Sequence, residues 1–325
     1  MSSRYFSILP ALEPPCLHLG REGVHCLVMI QRNVVLFFVL GVSVSGIAAL
    51  GQTGAKPAGS LTQACELGDK WNHKPGSSRG PECWPHLAQP DSKACGAGTE
   101  QSPIVINPDR LPLRPTALVL HYTEFQAPVW NTGHVVEVCA KEGAQEQTGC
   151  KGPSSLGGYI TVGNDRYDLK EFHLHAPAEH KLAGARGFAM EVHLVHESAT
   201  ARKPNAVIGV WMKVSSESNR VVKAMIENTP ASEHDPGAKI VVNPLDLLPK
   251  KGVGQYFSYD GSLTTPGCGE TVAWMVAKET GEVAPAIVSN LHRIISRFPG
   301  YDGYQNNNRP EQRLNKREVV SIEKK

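Results

Sequence analysis

The sequence has no G-x-x-x-x-G-K-[ST] phosphate loop, no G-x-S-x-G nucleophile elbow, no His-Glu-x-x-His run and no internal repeat. These absences remove the usual signatures of nucleotide hydrolases, serine hydrolases, helix-borne zinc proteases and solenoids. Charge of one sign is also lacking: the formal net charge is +2 over 325 residues. No stripe of Lys and Arg interleaved with aromatics argues for a nucleic-acid surface. Eight cysteines are present, but none of their spacings resembles a zinc cysteine site. What is left is a chain long enough to bury one sizeable core.

Five of the thirteen histidines and three carboxylates crowd into residues 171–196, EFHLHAPAEHKLAGARGFAMEVHLVH. Successive side chains of a strand point to opposite faces, so His173 and His175 project together, away from Phe172 and Leu174. The run 190–196 alternates likewise, with Glu191, His193 and Val195 on one face and His196 on the other as a structural residue. Pairing the two strands adds His193 to the His-x-His claw. Three neutral imidazoles without cysteine suit a borderline divalent ion and leave a tetrahedral position open for water. Glu191, two residues from His193 on the same face, is placed to accept the other N–H of a metal-bound imidazole.

The only long apolar run is VVLFFVLGVSVSGIAALG at 34–51, preceded by the basic MIQRN and followed by small residues. Residues 1–28 read as an N-terminal extension, 29–51 as a signal peptide or retained single-span anchor, and 52–64 as a flexible lead-in. Export to the periplasm or the cell exterior is the expectation. Cys16 and Cys26 precede this segment, leaving six cysteines for an oxidising compartment, where fifteen pairings are conceivable. Cys139 and Cys150 bracket a polar, turn-like stretch and are expected to pair.

From residue 118 short alternating runs separated by turn residues predict strands at 118–123, 134–140, 158–162, 167–176, 189–197, 205–214 and 270–278. Gly163-Asn164-Asp165 predicts a hairpin, so antiparallel pairing should dominate an α+β, predominantly β fold. Apolar spacings of three and four predict helices at 219–228 and 285–298. The last residues, 321–325, read as a charged, solvated tail.

These residues carry a family resemblance. QSPI at 101–104, NTGH at 131–134, EFHLHAPAEH at 171–180, MEVHLVH at 190–196, YFSYDGSLTTPGC at 256–268 and NNRPEQRLNKR at 307–317 resemble, in order, the motifs of alpha carbonic anhydrases, the exported bacterial and algal members above all. The resemblance implies one domain at 65–320, on a large twisted, mostly antiparallel sheet with a few peripheral helices. It implies hydration of CO2 to bicarbonate by attack of zinc-bound hydroxide, with activated esters as side substrates. Zn2+ is the implied cofactor, CO2 and bicarbonate the only partners beyond a second copy of the chain, which would act as monomer or homodimer. A silent binding domain of the same fold is the alternative.

Carried over by position, His173, His175 and His193 are the implied zinc ligands. Thr264 and Glu179 form the pair that orients the attacking oxygen, and His134 is the proton shuttle, its ordinary pKa near 6.5 suiting that task. Thr265, Val195, Val207, Leu263 and Trp274 line the substrate site. The resemblance also implies a Cys95–Cys268 bond, which leaves Cys65 with Cys83. Three positions depart from the family: Glu171 stands where glutamine usually partners the first zinc histidine, Ala176 replaces an aromatic, and His73 falls where a tyrosine is expected.

Overall fold

Alternation of apolar and polar residues becomes strand along most of the chain. The computed structural model describes residues 64–109, 111–139, 156–233, 235–249 and 254–324. The expected signal or anchor segment and nearly all of the lead-in lie outside them. All described residues fall in one unit, Gly59–Lys325. Among them, no helix is long and apolar enough to cross a membrane.

In chain order the strands are β1 Val105–Ile106, β2 Leu113–Tyr122, β3 Phe125–Asn131, β4 Val136–Cys139, β5 Gly158–Val162, β6 Asp165–His175 and β7 Lys181–Leu182. They continue with β8 Met190–Glu197, β9 Asn205–Val214, β10 Pro236–Val242, β11 Gln255–Gly261, β12 Val272–Ala277, β13 Gly281–Val283 and β14 Val320–Lys324. All but β1 and β7 join one twelve-stranded sheet. Most neighbours run antiparallel; β9 pairs in parallel with β12 and β13, and β14 with β2. The predicted hairpin joins β5 to β6 with Val162 opposite Asp165. β6 is long enough to pair along one edge with β5 and then β4, and along the other with β8. It is therefore the spine from which the histidines project.

Residues of β6 facing away from the histidines, Leu169, Phe172 and Leu174, enter the main core with Val192 and Leu194 of β8 and Ile208 and Val210 of β9. The helices α1 Ala94–Ala97, α2 Arg220–Glu227 and α3 Pro285–Ile295 lie around the sheet. α2 starts where predicted because the Asn219 side chain accepts from the Val221 and Val222 N–H groups. α3 buries Ile287, Leu291 and Ile295, each contributing roughly 1.5–3 kcal/mol of apolar burial.

One expectation is corrected at the C-terminus. Residues 321–324 are not a frayed tail: β14 runs between β11 and β2, with Ser321 and Ile322 buried. The charged residues at the very end masked the V-x-I alternation of a strand held by partners on both sides.

Cys65–Cys83 and Cys95–Cys268 are bonded. Cys139 is also disulfide-bonded, and its expected partner Cys150 lies outside the described residues. The Cys95–Cys268 bond packs with Trp84 and Leu87 in a small cluster of its own. Beside it, the Cys268 N–H donates to the Thr265 carbonyl at 2.9 Å, so the bond braces the turn carrying Thr264 and Thr265.

Candidate metal centre

The register between β6 and β8 sets His173 directly opposite His193 and His175 opposite Glu191. Directly paired residues share a face, so four polar side chains form a square on the side of the sheet away from the core. One nitrogen from each of His173, His175 and His193 lies within 4.8 Å of the others. Pairing of the two strands, which the spacing alone left open, is what adds the third imidazole.

Hydrogen bonds on the remaining nitrogens select the tautomers. His175 Nδ1 is 2.8 Å from the Asn307 carbonyl oxygen, which can only accept. The N–H therefore sits on Nδ1, and Nε2 presents a lone pair, buried and without a hydrogen-bond partner among the described residues. His173 Nδ1 donates to both oxygens of Glu171, at 3.0 and 2.9 Å, which frees its Nε2. His193 is reversed: Nε2 donates to Glu191 Oε1 at 3.0 Å, freeing Nδ1. Three lone pairs converge while every opposite nitrogen is occupied, the arrangement a metal-ligating imidazole set requires. The orphaned His175 nitrogen and the all-imidazole donor set both fit a divalent ion such as zinc.

Glu191 is fully committed. Its Oε2 accepts the backbone N–H of Glu179 and of His180 at 2.9 and 2.8 Å, and its Oε1 accepts His180 Nδ1 at 2.7 Å as well as His193. Burial alone would push this carboxyl up, but the imidazoles of His180 and His193 hold it well below the usual carboxylate range. His180 Nε2 in turn meets the Tyr259 hydroxyl at 2.6 Å. Neither His180 nor Tyr259 was assigned a role from the sequence. Gly209 of β9 lies opposite His193, and a Cβ there would come within 2.8 Å of Glu191 Oε1. Gly209→Ala should thus dislodge the carboxylate and weaken zinc binding about tenfold, the range seen when a ligand's hydrogen-bond partner is disturbed. Competition with a chromophoric chelator measures it; unchanged affinity would show that Glu191 can move without consequence.

Glu179, also buried, brings Oε2 to 3.6 Å from His175 Nε2 and 3.9 Å from His193 Nδ1. Its Oε1 accepts the Arg309 N–H at 2.7 Å. Burial pushes its carboxyl up to about 8, against the opposing pull of the Arg309 N–H and the Thr264 hydroxyl. Thr264, 5% exposed, is therefore beside the carboxylate with which it was expected to pair.

Burial lowers His193 to about 4 and holds His175 well below its ordinary value. Burial acts the same way on His173, but the Glu171 carboxylate outweighs it and raises that imidazole. Its side chain and that of Glu171 keep 14% and 12% exposure, so solvent reaches the square from their side.

The expected substrate wall gathers in one apolar cluster, with Val207 and Trp274 buried and Val195 and Leu263 packed against them. The Trp274 ring is 4.9 Å from that of His193. His134, half-buried just before β4, stacks on Trp71 at 3.8 Å and 7°. His196 faces the core: Nδ1 donates to the Ala206 carbonyl at 3.1 Å and Nε2 meets the Tyr122 hydroxyl at 2.7 Å, a satisfied structural residue as expected. Asn307, given no role from sequence, closes the site from behind: besides holding His175, its side chain accepts the Ala176 N–H at 2.8 Å and donates to the Leu174 and His134 carbonyls at 3.0 and 3.1 Å. The motif 307–317 contained it, but no spacing rule links it to a strand 132 residues earlier.

The family model described as eukaryotic-type carbonic anhydrase matches residues 79–323. Dioscorin DB3L of Dioscorea polystachya is 33% identical, covering 77% of this chain and 85% of its own length. Alpha carbonic anhydrase 7 of Arabidopsis thaliana is 30% identical over 87% of this chain and 94% of its own. Among solved structures, alpha-carbonic anhydrase from Thermovibrio ammonificans, in complex with the inhibitor sulfanilamide, superposes with a TM-score of 0.61 at 30% identity, covering 78% of this chain and 99% of that one. The motifs, the sheet and these matches agree: the chain belongs to the eukaryotic-type, or alpha, carbonic anhydrase family.

Proposed function

We propose that this protein hydrates CO2 reversibly to bicarbonate and a proton, with zinc held by His173, His175 and His193. The observation that carries this reading is the convergence of three imidazole lone pairs whose opposite nitrogens are all engaged, by Glu171, Asn307 and Glu191. When bound, zinc supplies Lewis acidity that brings the pKa of water into the neutral range, an established property of carbonic anhydrases.

The chain's own residues would do the rest. A hydroxyl has one hydrogen to give, so Thr264, donating to Glu179, must accept from the attacking oxygen and thereby orient it. Glu179 ionises more readily once positive charge sits among the imidazoles 3.6 and 3.9 Å from its Oε2. Val195, Val207, Leu263 and Trp274 offer CO2 an apolar wall, and Thr265 lines the site where bicarbonate leaves. His134 would carry the proton to buffer. Activated esters fit the same site as side substrates. The disulfides suit an oxidising compartment and hence export to the periplasm or the cell exterior.

Glu171 adds negative charge beside His173 where the family usually has a neutral amide. Replacing it, in Glu171→Gln, is expected to lower the pKa read from the pH–rate profile of hydration, because a carboxylate on the far side of an imidazole makes it a stronger donor. An unchanged or higher value would contradict this role.

Stopped-flow CO2 hydration on the chain starting at Gln52, zinc-loaded and after chelation, tests the function. Loss of rate on stripping, with recovery on adding one equivalent of zinc, is the expected result. A zinc-loaded protein without hydration would instead favour the silent binding domain, and peptide cleavage would favour a hydrolase.

A further inference from the structure

One rung of the sheet runs straight through the metal centre. Trp130 of β3 is directly opposite Glu137 of β4, Glu137 is opposite His173 of β6, and His173 is opposite His193 of β8. Directly paired residues share a face, so Glu137 projects on the same side as the imidazoles, next to His173. Its neighbours in β4, Val136 and Val138, point the other way and join the main core. The alternation of apolar and polar residues in this short strand thus delivers a carboxylate to the metal face.

Glu137 is the second carboxylate on this wall, Glu171 the first. Both are buried. Burial lowers the His173 pKa, and against it Glu171, Glu137 and Glu179 all pull upward, so the field of each carboxylate reaches the ligand set. Trp130, also buried, flanks Glu137 on the side away from the imidazoles, and charges held out of solvent are screened least. Lys170, adjacent to Glu171 in the chain, turns to Glu197 at 4.0 Å instead. The expected CO2 wall, Val195, Val207, Leu263 and Trp274, is apolar and brings no charge of its own.

Resting on the functional reading above, we propose that Glu137 is a specificity-determining residue: with Glu171 it makes one wall of the metal site repel anions, favouring an uncharged substrate over the anions that compete for the open metal position. A neutral gas approaches past two carboxylates without penalty. Bicarbonate and small monoanions meet like charges there, which offset part of their attraction to a divalent ion. The same repulsion hastens the departure of an anionic product. Discrimination of this kind comes from a built-in repulsive element rather than from added contacts to the preferred ligand.

Titration of the cobalt(II)-loaded protein, whose visible absorption reports ligands at the metal, tests this with anionic thiocyanate and uncharged 1,2,4-triazole. Affinities are compared at the low-pH plateau, where hydroxide does not compete. Glu137→Gln should tighten thiocyanate about fivefold, the size of one unit-charge repulsion across roughly two strand spacings at a near-surface dielectric, while triazole stays within about twofold. Glu137→Asp keeps the charge and should hold thiocyanate as weakly as the wild type does. Glu171→Gln removes the other carboxylate and should tighten thiocyanate in the same direction. Unchanged thiocyanate affinity in Glu137→Gln, or equal tightening of thiocyanate and triazole, would overturn the proposal. If the zinc-loaded wild type hydrates no CO2, the functional reading fails, while the cobalt titration still decides whether Glu137 repels anions.

Discussion

Glu179→Gln is expected to lower CO2 hydration about 100-fold, the upper range for loss of a group that orients the reacting atoms through another residue, and at the same time to stabilise the zinc-free fold at alkaline pH. The two effects share one cause. Glu179 is buried with its folded pKa pushed up to about 8, against an ordinary 4.5. The unfolded chain therefore gives up this proton more easily than the folded one. The stability contributed by the protonated form is whole below about pH 4.5 and drains away as pH rises to about 8, an effect of a few kcal/mol at most at 1.36 kcal/mol per unit. Glutamine does not ionise, so the zinc-free variant should gain on the wild type over that window and keep a constant lead above it. The amide oxygen can still accept from Arg309, but its NH2 cannot accept the Thr264 hydrogen. Stopped-flow hydration measures the first effect and urea unfolding at pH 5 and pH 8.5 the second. A variant that hydrates CO2 normally would remove the Thr264–Glu179 pair from the chemistry.

His193→Ala should weaken zinc binding by about 1,000-fold or more, since two imidazoles replace a three-nitrogen site and metal affinity depends on ligand count. The fold should survive. Glu191 keeps His180 and two backbone N–H groups as partners, so the loss is about 2 kcal/mol, one hydrogen bond to a charged group. His196→Ala on the same strand is the control. It too is buried and hydrogen-bonded, but it faces the core, and its removal should reduce stability while zinc binding remains. Equal zinc loss in both variants would mean that destabilisation, not ligation, sets the affinity.

The part of the site legible in the sequence is the part that strand geometry ties to spacing. A period of two fixes which of residues 171–175 and 191–195 share a face, so His173, His175, His193, Glu191 and Val195 could be grouped before any fold was known. Their pairing register could not, because it depends on β6 and β8 meeting across a connection of 14 residues, Ala176 to Ala189. Asn307 and Arg309 reach the same centre from a segment over 100 residues downstream, through backbone and amide contacts that leave no periodic trace. Thr264 sits in a turn, where a hydroxyl reads as ordinary turn chemistry. The resemblance to a family supplied that pair; the residues themselves did not. The tail misled for the opposite reason: local charge outweighed a five-residue alternation whose burial comes entirely from distant strands.

The most direct test of the three-imidazole centre is the zinc K-edge X-ray absorption fine structure of the loaded protein. Three imidazole nitrogens and one oxygen at about 2.0 Å, with no sulfur, are expected from the lone pairs that β6 and β8 turn toward one another. A sulfur ligand, or fewer than three imidazoles, would contradict the assignment of His173, His175 and His193.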